Sequence, residues 1–292
     1  MIWSDDQSTM PPDDAGGTAV SGTAVSLADV GVIGLGRMAQ ALVFPLIEAG
    51  LMDRQRLRAV VASEASADRL RQAHQLPVST DPLQAWQAPV VLLAVKPQQL
   101  EGVVQALGAA AEGPSPRLLI SVLAGVTLAR LQRLFPSCRI VRAVPNTPCL
   151  VRAGLTGLAW GQGISAEQQE WVRLLFAQVG EVLVLPEVQL DAFLALTSSG
   201  PAFVALVAEA MADGAVAAGL PRQLAQHLAH RTLAGTAALL HERELHPGQL
   251  KDMVTSPAGT TIAGLRELER AGLRSGLIEA VLAAANRSRE LA

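Results

Sequence analysis

Residues 254–265 read VTSPAGTTIAGL, a stretch without one charged side chain in a region otherwise rich in alanine and leucine. A loop that only connects helices more often carries Asp, Asn, Lys or Glu. Here Ser256, Thr260 and Thr261 offer hydroxyls and the backbone offers amides, a set suited to holding a small polar ligand. A second pattern with chemical content starts at Val30, where VGVIGLGRMAQALVFPLIEAG places Gly34, Gly36 and Ala39 at the spacing G-x-G-x-x-A. Gly34 permits a tight turn, Gly36 lets backbone approach a pyrophosphate, and Ala39 keeps helix close to strand. The phosphates would face unpaired N–H groups at the helix N-terminus. Any tight strand-to-helix turn needs the same glycines, so the dinucleotide reading leans on the apolar strand that precedes them.

Further unusual residues gather at the ends of apolar runs. Ser63 follows LRAVVAS at the place where NAD-type sites put a carboxylate on the ribose 2′-hydroxyl, which favours NADPH, although Glu64 is adjacent. AVKP follows PVVLLAV and contains Lys96, one of only two lysines in the chain, the other being Lys251. SVLAG and RAVPNTP end the next two runs, and Asn146 and Thr147 could supply amide and hydroxyl groups there, or simply make a turn.

These residues need a scaffold. The strand VGVI is followed by helix, and LRAVVAS, PVVLLAV, RLLISVLAG and RIVRAV continue the alternation, with helices expected over 65–73, over 98–107 and from Leu128. Strand–helix alternation predicts a parallel doubly wound sheet with its ligand crevice at the carboxyl ends of the strands. EVLVL is the last expected strand, ended by Pro186, and from Gln189 the periodicity is helical. The helix expected over 201–218 is apolar around most of its circumference, so a second subunit is the simplest cover for it. Another helix opens with Pro221 in its first position and presents Leu224, Leu228, Thr232, Gly235 and Leu239 as a packed face. The expected fold is therefore α/β, an N-terminal Rossmann-type doubly wound dinucleotide-binding domain over 28–187 followed by an all-α dimerisation and substrate domain over 188–292. Residues 1–27 read as a disordered extension.

Composition removes other classes. The chain has 292 residues, a formal charge of -3 and 3% aromatic residues, which argues against a nucleic-acid surface. No apolar run approaches the roughly 18 residues of a membrane span, so a soluble protein is expected. Cys138 and Cys149 lack metal spacing and read as reduced thiols, and with no secretory signal the expected location is cytoplasmic. His227, His230, His241 and His246 have no carboxylate at zinc-like spacing and read as helix-surface or helix-dipole residues rather than ligands. The chain has no tyrosine for a Tyr–Lys proton relay, and the helix after Gly200 carries no lysine. Carbonyl reduction needs a proton donor for the developing alkoxide. A cyclic imine binds already protonated, so the site must mainly orient it.

The motifs GLGRMA, AVKP, LAGV, RAVPNTP, TSSGPAF, MADGAVAAGLPR, HPGQLKDMVTSPAGTTIAGL and LERAGLRS occur in this order. Through them the chain, from about Val30 onward, resembles the pyrroline-5-carboxylate reductase family, NAD(P)H-dependent enzymes of the last step of proline biosynthesis. The resemblance implies NADPH as cofactor, with NADH as the alternative, bound by Ile33, Gly34, Leu35, Gly36, Arg37, Met38, Ser63, Ala94, Val95, Lys96, Pro97, Val122, Leu123, Ala124 and Glu187. It implies 1-pyrroline-5-carboxylate as substrate against Met253, Ser256, Gly259, Thr260 and Thr261. In that reading Ser256 and Thr261 are catalytic, the Thr261 hydroxyl bonding the ring nitrogen and the amides of Gly259 to Thr261 taking the carboxylate. It further implies an intertwined homodimer, with a decamer as higher assembly, in which the loop of one subunit faces the nucleotide of the other. Three departures from the family pattern stand out: Ala258 replaces a glycine, Thr197 and Ser198 together replace Ser-Gly, and Phe203 replaces a tyrosine. A reductase of another cyclic imino acid, or a silent NADP-binding redox sensor, are the alternatives.

Overall fold

The computed structural model describes residues 29–50, 52–113 and 117–290, so the expected extension 1–27 lies outside the described residues. The first unit runs β1 (Val30–Ile33), α1 (Arg37–Glu48), β2 (Leu57–Val60), α2 (Glu64–His74), β3 (Val78–Ser79), α3 (Pro82–Trp86), β4 (Val90–Leu93), α4 (Leu100–Leu107), β5 (Leu118–Ser121), α5 (Leu128–Leu134), β6 (Arg139–Val144), β7 (Gly154–Trp160), α6 (Ala166–Ala177) and β8 (Gly180–Val184). Helices follow: α7 (Leu190–Thr197), α8 (Gly200–Ala217), α9 (Arg222–Glu242), α10 (Pro247–Met253), α11 (Thr260–Arg270) and α12 (Leu273–Glu290).

The strands form one sheet in the order β3-β2-β1-β4-β5-β6-β7-β8. β1 and β4 are apolar throughout and fully buried because both faces of the sheet are covered. Leu92 and Ile120 pack on one side with Leu42, while Val91 and Leu119 pack on the other with Phe135 and Leu100. In register, Val60, Ile33, Leu93, Ser121 and Arg142 form one row across neighbouring strands. That row is where β1, β2, β4 and β5 end, which places their following turns side by side.

The sheet departs from the all-parallel expectation at β7, which runs antiparallel to β6, with Val141 opposite Trp160. The connection through Pro145–Ala153 holds only a short 3-10 turn, and a parallel return would need a longer crossover. β3, α3, β7 and α6 were not expected from the sequence. β2 ends at Val60 rather than Ser63, and Pro221 occupies the N-cap of α9 rather than its first position.

In the helical unit α8 and α9 meet through a seam of small residues, Ala208, Ala212, Ala225 and Ala229, and little else on these helices is buried. The face expected to be packed is not packed within the chain: Leu224, Leu228 and Leu239 are exposed, as are Val204 and Leu206 on α8. Contrary to the sequence expectation, the helical stretch Glu187–Ala217 is long and apolar enough by composition to cross a bilayer. It is divided by a turn at Ser198–Ser199, and Asp191 within it is hydrogen-bonded by Ser288 of α12. His246 caps the N-terminus of α10, its Nδ1 accepting from the Gly248 amide at 3.1 Å, rather than serving a helix C-terminus. Among the described residues no group of three or more His, Cys, Asp or Glu is placed to hold a metal ion.

Candidate active site

The turn after β1 is built by glycine chemistry. Gly34 has φ +97°, and a Cβ there would lie 2.8 Å from the backbone of Ala94 and Val95. Its amide and that of Leu35 both donate to the Val60 carbonyl, at 2.9 and 3.2 Å, tying the turn to the end of β2. Gly36 is the N-cap of α1, no side chain caps the helix, and no acidic residue occupies its first turn. A Cβ added at Gly36 would meet nothing within 4 Å, so the space in front of these amides is open. An uncapped, positively polarised helix start beside open space fits a dinucleotide pyrophosphate. Ala39 is buried and keeps α1 on the sheet. Ile33 and Leu35 are buried with the core, so only their backbone faces the crevice, whereas Arg37 is exposed and Met38 half-buried.

The other expected cofactor residues follow the same row of strand ends. Ser63 caps α2, its Oγ accepting from the Ser66 amide at 3.4 Å. The Ala94 amide extends the ladder to the Ile33 carbonyl at 2.9 Å, and Lys96 is exposed beyond it, ahead of the 3-10 turn that Pro97 opens. The Val122 amide donates to the Leu93 carbonyl at 3.0 Å. Leu123 is buried, Val122 is half-buried against the core and Ala124 is exposed.

Glu187 is committed elsewhere in part. One of its oxygens accepts from the Leu128 amide at 2.7 Å, at the start of α5, and from Arg142 Nη1 at 3.0 Å. Arg142 on β6 is 2% exposed, and it also meets Asp191 at 3.4 Å, which accepts from Ser288 Oγ at 2.8 Å. Sequence reasoning passed over this cluster because RIVRAV reads as an apolar strand. The available signal was an arginine inside a buried strand, which requires carboxylate partners, and Glu187 and Asp191 stand four apart to supply them. Asn146 is likewise structural: its amide nitrogen donates to the Thr197 carbonyl at 3.0 Å and its oxygen accepts from the Leu155 amide at 2.8 Å. Both ends of this buried side chain brace the loop, which favours the turn alternative over a free amide group. Burial raises the thiol pKa of Cys138 and of Cys149, which keeps both protonated and unreactive.

The hydroxyl stretch forms the joint between α10 and α11. Thr255 Oγ1 donates to the Lys251 carbonyl at 2.6 Å, closing the end of α10. Gly259 is the N-cap of α11, without a side-chain cap and without an acidic residue in the first turn. A Cβ on Gly259 would lie 2.3 Å from Ser256 Oγ, so the serine hydroxyl sits directly over the glycine. The Gly259 amide already donates to the Ser256 carbonyl at 3.1 Å. Of the three amides expected to take the carboxylate, that of Gly259 is therefore engaged within the loop. Ala258 has φ 56°, the left-handed region. Met253, Ser256 and Thr260 are exposed and Thr261 is half-buried. Among the described residues of one chain, no hydrogen bond joins Ser256–Thr261 to the glycine turn. The two halves of the site are each formed but are not brought together by intrachain bonding.

Two family models match the chain: pyrroline-5-carboxylate reductase dimerisation over residues 187–291, and NADP oxidoreductase, coenzyme F420-dependent, over residues 29–125. A pyrroline-5-carboxylate reductase from Synechocystis is 46% identical over 263 residues, covering 90% of this chain and 97% of that protein. Among solved structures, a pyrroline-5-carboxylate reductase from Coxiella burnetii superposes with a TM-score of 0.79 at 35% identity, over 91% of this chain and 98% of the other. The Plasmodium falciparum pyrroline carboxylate reductase, solved with NADP bound, gives a TM-score of 0.81 at 27% identity, over 90% and 98%.

Proposed function

Because the chain belongs to the pyrroline-5-carboxylate reductase family, we propose that it reduces the C=N bond of 1-pyrroline-5-carboxylate to give L-proline, with NADPH as reductant and NADH as the alternative. Bound NADPH supplies the hydride. The open, uncapped start of α1 at Gly36 and the Cβ-free approach there fit its pyrophosphate, with Ser63, Ala94–Pro97 and Val122–Ala124 along the remaining strand ends.

The substrate enters as an iminium carboxylate. The Thr260 and Thr261 amides at the start of α11 hold its carboxylate, helped by the partial positive charge of the helix end. The Thr261 hydroxyl accepts from the ring N–H, and Ser256, seated over Gly259, fixes the loop that presents both. Hydride arrives at the imine carbon and the C=N π electrons become the nitrogen lone pair, so the ring nitrogen ends neutral and takes its second proton from solvent. A lysine or arginine beside that nitrogen would disfavour the cationic substrate. The charge-free loop is the observation that carries the reading, because hydroxyls and amides orient the ring without that penalty.

The exposed apolar faces of α8 and α9 support a homodimer, with a decamer as the higher assembly, in which the loop of one subunit meets the nucleotide of the other. The working division is 28–187 for dinucleotide binding and 188–292 for dimerisation and substrate, in a cytoplasmic enzyme with no membrane or nucleic-acid partner. Mixing the protein, NADPH and the imine should consume NADPH and release proline. Absence of turnover in a preparation that binds NADPH would sink the reaction. The six-membered homologue of the ring tests its breadth, since one methylene changes kcat/KM by about 1–3 kcal/mol in a shaped pocket.

A further inference from the structure

Along the sheet β2 lies between β1 and β3. The carboxyl end of β2 therefore has the glycine turn on one side and the end of β3 on the other. Glu64 opens α2 immediately after Ser63, where a carboxylate free to reach the adenosine ribose would accept from a 2′-hydroxyl and repel a 2′-phosphate. Its oxygens are instead held on the β3 side. Thr80, just past β3, donates from Oγ1 to Glu64 Oε1 at 2.7 Å, and Arg71 Nη1 reaches Oε2 at 3.3 Å. Arg71 is itself anchored, its Nε donating to the Val78 carbonyl of β3 at 2.8 Å and its Nη1 to Asp68 at 2.7 Å. The Glu64 side chain is 64% exposed, so packing does little to fix its rotamer and the two donors set its direction.

We propose that Thr80 and Arg71 form a clasp on Glu64 that sets the dinucleotide preference, holding the carboxylate away from the ribose and leaving the start of α2 to a 2′-phosphate. The inference rests on the NADPH reading above. Arg71, shared with Asp68, adds to it by offsetting part of the charge of Glu64 where a phosphate dianion would otherwise feel it. The clasp is exposed and its effect is correspondingly moderate, about three- to tenfold in relative affinity.

The test is calorimetric binding of NADPH and of NADH to the full chain, in the wild type, Thr80→Val, Glu64→Gln and the double variant. Thr80→Val removes the closer of the two donors and loosens the carboxylate, which should weaken NADPH by about three- to tenfold while NADH holds or tightens. Adding Glu64→Gln should restore the wild-type ratio, because a neutral amide no longer repels the phosphate. Glu64→Gln alone should change the ratio by less than about twofold, since the carboxylate is already turned away. An unchanged ratio in Thr80→Val, or a shift that persists in the double variant, overturns the clasp. If Thr80→Val does not fold, Glu64→Gln decides alone: a strong gain in NADPH preference would mean that the wild-type carboxylate already stands against the phosphate. Binding is read without the imine, so a wild type that binds NADPH but reduces no imine refutes the proposed reaction and leaves the clasp intact. A wild type that binds neither dinucleotide overturns both.

Discussion

Ala258 is held at φ 56° in the middle of the substrate loop. An L-residue in the left-handed region costs about 1–2 kcal/mol relative to its preferred conformations, through the approach of Cβ to the following carbonyl. Ala258→Gly removes that cost and in exchange loses about 0.4–1 kcal/mol by widening the unfolded ensemble. The balance is a net stabilisation of up to about 1.5 kcal/mol. With the sensitivity of larger chains, about 2–4 °C per kcal/mol, Tm should rise by a few degrees at most. Thermal unfolding at fixed protein concentration, with and without NADPH, measures the shift, and kcat/KM for the imine should hold or rise because the backbone path of Ser256–Thr261 is kept. Ala258→Val is the opposing arm: a β-branched residue at positive φ is an outlier, and it should lower Tm and kcat/KM together. A lower Tm for Ala258→Gly, or a valine variant as stable and active as the wild type, would show that the loop does not hold this residue left-handed and would refute the reasoning.

Thr261→Ala should reduce imine turnover about tenfold or more through loss of one oriented hydrogen bond, with NADPH affinity near normal; equal losses in steady-state and binding measurements would assign the loop to nucleotide binding or folding instead. Gly34→Ala places a methyl 2.8 Å from the backbone of Ala94 and Val95, so calorimetry should find dinucleotide binding lost, and a variant that binds NADPH normally would deny the turn its role. Glu187→Ala takes one of two carboxylates from the buried Arg142 and a partner from the Leu128 amide. Because Asp191 still pairs the guanidinium, denaturant melts should show a loss of about 1–3 kcal/mol, whereas a change in NADPH affinity alone would return Glu187 to the cofactor.

The glycine turn was legible because its information is local. Gly34, Gly36 and Ala39 sit within six residues, and each performs a task that only a small residue can perform. β7 was not legible, since GLTGLAW alternates weakly and its direction is fixed by the short connection after β6, a tertiary fact. Asn146 stays undecided in the sequence for a related reason: the residue types that make a ligand-binding loop also brace one, and only burial with both amide ends occupied separates the two. Burial likewise separates residues within a correctly read motif, because Ile33, Leu35 and Leu123 lie in the fingerprint segments but turn their side chains into the core.

The helices were read correctly in one sense and incorrectly in another, and the difference bears on the site. Leu224, Leu228 and Leu239 do repeat at helical spacing, yet they face outward, and the intrachain seam uses Ala225 and Ala229 instead. A helix pair whose buried seam is mostly alanine, with Val216 packed beside it, buries little apolar area, while large side chains such as Val204 and Leu206 stay exposed. The sequence has therefore assigned its bulky residues to a contact that one chain does not make. The loop Ser256–Thr261 leads into an α11 without a side-chain cap, and among the described residues it has no intrachain bond to the glycine turn. On the proposed assembly, in which this loop meets the nucleotide of the other subunit, covering the apolar faces and closing the site are one event, so dilution that separates subunits should abolish turnover while leaving the glycine turn of each chain able to bind NADPH. Activity per subunit that is independent of concentration through the dissociation range would break that link.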